Sequence, residues 1–171
     1  MSSFNSRLRF AALALAAAML SGCIAPLYGP LSSNASLADE LQAIEVAPIA
    51  ERSGHYVRNE LIFAFNGTGS EVAPRYRLTV TLKEQARSPI IDTVTYRATS
   101  ATVILDAEYK LVTIPDGKEV TKGVQTGIAS YDRFSSRITN VRAARDAEQR
   151  DARTIADAIR TRIAAALADR K

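Results

Sequence analysis

Apolar and polar positions alternate with changing period along the chain, and the changes of period mark out its elements. Residues 41–47 predict a short strand with Ile44 and Val46 on one face, Glu45 on the other and Pro48 closing it or keeping it at an edge. From about residue 53 to 65 the period lengthens to that of a helix, because Val57, Leu61 and Phe65 recur every four residues. Ile62 and Ala64 widen that stripe, Ser53 is available as a cap and Asn66-Gly67 as a stop. Residues 76–83 are apolar at every second position, as in a half-buried strand. After the Ser88-Pro89 interruption a long strand is predicted over about residues 95–114. Ala101, Val103, Leu105, Ala107, Tyr109 and Leu111 form one side of it, and Thr102, Asp106, Glu108 and Lys110 the other.

Pro115-Asp116-Gly117-Lys118 reads as a tight reversal, since Asp-Gly tolerates the positive φ that such a turn needs. The return strand, about residues 119–131, is punctuated by Gly123 and Gly127, which mark bulges or close approaches to the backbone. A final helix over roughly residues 140–168 has Val141, Ala144, Ala152, Ile155, Ile159, Ile163 and Leu167 as its expected buried stripe. Arg142, Asp146, Arg150, Arg153 and Asp157 fall outside that stripe, with Arg142/Asp146 and Arg153/Asp157 at i,i+4 spacing. The order β-α-β-β-β-α predicts an α+β two-layer sandwich: one sheet of about four strands, both helices on one face, the other face open.

The start of the chain follows a different rule. Arg7 and Arg9 precede an apolar run from Phe10 to Leu20, too short to span a bilayer. Leu20-Ser21-Gly22-Cys23 closes the run and contains the only cysteine. This layout is that of a secretory signal, and the four residues resemble a bacterial lipobox. The resemblance implies cleavage after residue 22 and a lipid-carrying Cys23 as the first mature residue. Residues 1–22 are then a signal peptide, residues 23–38 an extended tether rich in Pro, Gly, Ser and Asn, and residues 39–171 a single domain. Ile24 after the cysteine favours the outer membrane by resemblance to the enterobacterial sorting rule, with the domain on the periplasmic side.

Charge and chemistry narrow the function. The chain carries 22 basic and 18 acidic residues. The signal removes two arginines, leaving 20 against 18, so nucleic-acid binding gains no support. With Cys23 modified, no thiol remains for a disulfide or a nucleophile. His55 stands alone, without a second metal ligand or a neighbouring nucleophile, and reads as a surface residue. Asp106 and Glu108 share a strand face, as solvated charges usually do. No phosphate-cradling loop, nucleophile elbow or metal-ligand spacing occurs. The expectation is a binding protein rather than an enzyme, with no cofactor and no metal.

Three stretches carry a resemblance to a family. Cys23 followed by Pro26-Leu27-Tyr28-Gly29, the helix opening Val57-Arg58-Asn59-Glu60-Leu61, and Arg145-Asp146-Ala147-Glu148-Gln149 early in the last helix together resemble LptE-type lipopolysaccharide-assembly lipoproteins of the alphaproteobacterial branch. The resemblance implies a partner, the outer-membrane β-barrel LptD, which such proteins plug and help to assemble, and a ligand, lipopolysaccharide. It points to Arg97 and Arg145 as ligand-binding residues, with Lys118 in the turn as a weaker candidate. The alternative is an accessory lipoprotein of another envelope lipid-transport complex.

Overall fold

The computed structural model describes residues 35–67, 69, 72–87 and 99–170. Seven elements follow in order: α1 (Ala35–Gln42), β1 (Ile44–Val46), α2 (Glu51–Asn66), β2 (Tyr76–Arg87), β3 (Ser100–Thr113), β4 (Glu119–Asp132) and α3 (Arg137–Ala168). The strands form one sheet in the order β1-β2-β3-β4. β1 pairs parallel with β2, as the helical crossover through α2 requires, and the other neighbours are antiparallel. The fold is the α+β two-layer arrangement expected from the pattern, with helices against one face of a mixed sheet.

The core lies between sheet and helices. Leu78 and Val80 from β2, Ala101 to Leu111 at every second position of β3, and Ala129 of β4 are buried, as are Val57, Leu61 and Phe65 of α2. Helix α3 adds Ile155, Ile159, Ile163 and Leu167, all buried. Strand alternation therefore predicted the inward face of β3 residue for residue. The reversal is also as predicted: Gly117 has φ 64, in the left-handed region that favours glycine. The Asp116 carboxylate accepts hydrogen bonds from the Thr113 hydroxyl and the Lys118 amide, and the first of these holds its pKa below the usual carboxylate range.

Other details differ from the sequence reading. Helix α1 occupies Ala35–Gln42, so the first strand begins at Ile44 rather than at residue 41. Leu37 and Leu41 are one helical turn apart and buried, which gives this short helix its apolar side. Ser53 is not a cap. It lies buried inside α2, whose N-cap is Ala50 without a side-chain hydrogen bond. Gly54 beside it allows the helix to pass Ile49, since a Cβ there would come within 2.8 Å of Ile49 Cγ2. Helix α2 does end at Asn66-Gly67, but Gly67 is right-handed.

The two glycines of β4 resolve as close approaches. A Cβ on Gly123 would sit 3.0 Å from the Tyr109 hydroxyl, and one on Gly127 would sit 3.0 Å from Asp151 Cβ. The register shift lies elsewhere, at Leu111/Val112.

The largest departure is in α3. Its buried residues start at Ala147, so Val141 is exposed and Ala144 only half-buried. Arg150 reaches back to the carbonyl of Ser130 at 3.0 Å, and the backbone of Asp151 packs against Gly127 of β4. Residues 137–146, the overhang of α3, contain no buried residue, although Val141 and Ala144 still lie beside Tyr131 of β4.

Candidate functional site

Two exposed surfaces stand out among the described residues. The first is the open face of the sheet, built by strand register. Thr79 stands opposite Lys110, Thr81 opposite Glu108 and Lys83 opposite Asp106 across β2 and β3. Asp106 stands opposite Thr126, Glu108 opposite Val124 and Lys110 opposite Lys122 across β3 and β4. Polar cross-links tie the rows: Thr126 donates to Asp106 at 2.6 Å, and the hydroxyls of Thr102 and Ser130 lie 2.9 Å apart. Lys110 and Lys122 both reach Glu119, at 3.4 and 3.2 Å. Those ammonium partners, Lys122 first, hold the Glu119 carboxyl below its ordinary pKa. Val124 and Ile128 project from β4 and are exposed. Two shallow depressions, of 620 and 360 Å³, open over Thr81, Glu108 and Val124. Carboxylates, lysines and threonines alternate here, with no nucleophile beside a base and, among the described residues, no group of three His, Cys, Asp or Glu able to hold a metal. The arrangement suits contact with a broad surface.

The second surface is the overhang of α3 and the turn before it, where Phe134, Ile138 and Val141 are exposed. Neither Phe134 nor Ile138 was singled out from the sequence. Their signal, with Val141, is a spacing of four and then three residues.

The residues predicted to bind ligand do not converge. Lys118 is exposed in the β3–β4 turn, and Arg145 is exposed on the overhang. Arg145 lies toward the Ser130 end of β4, while Lys118 precedes its other end, so roughly 40 Å of strand separates them. They cannot hold one headgroup together. Cys23 and Arg97 lie outside the described residues. The expected helix pairs also rearrange. Asp146 accepts from Arg150 at 2.9 Å, and Arg153 crosses to Glu60 of α2 at 3.2 Å.

Two buried carboxylates of α3 went unanticipated because they fall on the apolar stripe. Glu148 is 3% exposed and receives Arg52 of α2 through two hydrogen bonds, at 3.0 and 2.6 Å, a fork that fixes the two helices against each other. That bond raises the pKa of the guanidinium. Asp151, 2% exposed, packs over Gly127, and its Oδ2 has no hydrogen-bond partner among the described residues. Burial pushes its carboxyl up to about 6, against the opposing pull of Arg150 and the Ala129 amide.

No family model and no curated protein matches the sequence. Solved structures do. A protein of Caulobacter crescentus CB15, described as a lipoprotein, superposes with a TM-score of 0.67 at 25% identity, over 80% of this chain and 98% of its own. The rare lipoprotein B of Shewanella oneidensis gives 0.55 at 11%, over 74% and 96%. A minor lipoprotein of Acinetobacter baumannii gives 0.53 at 15%, over 72% and 92%. This is a fold that lipoproteins carry. The similarity spans nearly the whole length of each neighbour, so the sheet and its helices form the entire shared unit.

Proposed function

We propose that this chain is a lipid-anchored outer-membrane lipoprotein of the LptE type, facing the periplasm, which partners and plugs the β-barrel LptD, assists its assembly and helps insert lipopolysaccharide into the outer leaflet. The observation that carries the reading is the joint occurrence of the Leu20-Ser21-Gly22-Cys23 lipobox with a fold matching a Caulobacter lipoprotein over 98% of its length. The open sheet face supports it: a broad polar surface with scattered apolar side chains is what a barrel lumen would contact. In this reading the protein acts by binding rather than by catalysis.

The test is a mild-detergent pull-down of the lipidated chain from its native envelope, followed by depletion. Recovery of a large β-barrel, fewer assembled barrels on depletion and leakiness to bulky hydrophobic antibiotics are the expected results. Normal barrel levels and an intact permeability barrier in depleted cells would overturn the reading. Arg145→Glu separately tests the ligand role: a charge-assisted contact contributes about 1.5–3 kcal/mol, so lipopolysaccharide binding should weaken tenfold or more.

A further inference from the structure

The overhang of α3 combines charge and apolar surface in a way that the open sheet does not. Residues 132–146 contain Arg133, Arg137, Arg142 and Arg145 against Asp132 and Asp146, and Asp146 is already engaged by Arg150. Ile138, Val141, Arg142 and Arg145 stand at i, i+3, i+4 and i+7, which places them along one side of the helix. Phe134 is 59% exposed, Ile138 68% and Val141 44%.

The aromatic residue is held in place rather than carried on a loose turn. Asn140 Oδ1 accepts from the Phe134 amide at 2.7 Å, and Asn140 Nδ2 donates to the Phe134 carbonyl at 2.8 Å. Ser136 caps the helix by accepting from the Thr139 amide at 3.4 Å. A shallow, open hollow of 420 Å³ runs along it, lined by Tyr131, Phe134, Arg137, Asn140, Val141 and Ala144. The patch is open, with exposed apolar side chains beside arginines. It fits a surface that yields to it, and its charge fits a negative one.

We propose that the overhang is a bilayer-contact element that docks on anionic phospholipid. Phe134, Ile138 and Val141 enter the headgroup boundary, and the arginines pair with lipid phosphates. The proposal goes beyond the barrel reading and rests only on its lipid anchor. That anchor keeps the domain at a membrane, at a local concentration where a weak contact counts.

Cys23 is the only cysteine and would be occupied by lipid, so Ile138→Cys offers one site for a nitroxide label. The lipidated chain is reconstituted in vesicles of phosphatidylcholine alone or mixed with phosphatidylglycerol, with Lys118→Cys as the reference position and Val141→Cys as a second reporter. The label at 138 should lose access to a water-soluble relaxation agent in the anionic vesicles only, while the label at 118 stays wet in both. Arg137→Ala and Arg142→Ala should each lower the docked-to-undocked ratio about fivefold. A label at 138 that is wet in both compositions overturns the proposal. So does one that is dry in both, which would mean protein covers the face. Protection appearing only when lipopolysaccharide is added to neutral vesicles assigns the patch to that ligand and overturns bilayer docking. A chain that floats with neither vesicle overturns the anchor and the docking together, whereas an anchored chain with a wet label overturns the docking alone.

Discussion

Helix α3 is one continuous element of 32 residues, yet its first ten contain no buried residue and the remainder contains ten. The apolar spacing does not change between the two parts. Val141 and Ala144 continue the same helical phase as Glu148, Asp151, Ile155 and Ile159. What changes is how much of that side is covered, since burial begins only at Ala147. Periodicity tells which side of a helix is apolar; only the neighbouring element decides whether that side is covered. The outcome is inverted at both ends, with carboxylates buried where the stripe is covered and apolar side chains wet where it is not.

The sharpest way to test this contrast is to put the same charge on both parts. Ile159→Asp places an unpaired carboxylate in the core and should cost at least about 4 kcal/mol, enough to lose the cooperative thermal transition. Ile138→Asp, on the overhang, should move the transition by less than about 0.5 kcal/mol. Equal melting of the two variants would show that the phase or the overhang is misplaced.

A smaller effect tests the covered part alone. Asp151 has its folded pKa raised to about 6, so its charged form is disfavoured in the native state. The native protein then binds more protons than the unfolded chain between the ordinary carboxylate pKa and about 6. Stability from this group is therefore greatest at acid pH, falls as pH rises through that window and is flat above it. Asp151→Asn should abolish that slope and raise stability at pH 7.5 by about 2–3 kcal/mol, with little change near pH 4. Denaturant melts of both proteins across pH check it.

Smaller again is the link between helices. Arg52→Ala leaves Glu148 buried without its partner, and because the guanidinium side opens to water the loss should be about 2 kcal/mol. Restoring much of it with Arg52→Ala/Glu148→Gln would confirm that the stranded charge, not the packing, is the cost.

These contrasts also mark where the sequence was legible. Strict alternation in β2 and β3 identifies the inward face, and Asp116-Gly117 identifies the reversal, because both signals are local. Helix α1 was hidden, since Leu37 and Leu41 supply only one apolar turn and Ile44 and Val46 impose their own period immediately after. The overhang was hidden because the apolar stripe continues through it in the same phase, and no local signal records how far that stripe is covered. Lys118, the weaker candidate, and Arg145 could be joined in one site on sequence alone, as exposed basic residues. Only the length of β4, which lies between them in space, shows that they belong to opposite ends of the domain.

The three-residue strand β1 has a mechanical consequence. It lies at the edge of the sheet, parallel to β2, and follows directly on α1. Its seam is short: the Ala47 amide donates to the Leu78 carbonyl, and the Arg75 and Tyr76 amides donate to the Ala43 carbonyl. β2, β3 and β4, by contrast, are 12, 14 and 14 residues long and joined along nearly their whole length. Tension arriving from an N-terminal anchor would reach the short seam first. Under such a load β1 and α1 would peel away while the β2–β3–β4 meander and α3 stay folded, lengthening the chain without unfolding the open face of the sheet.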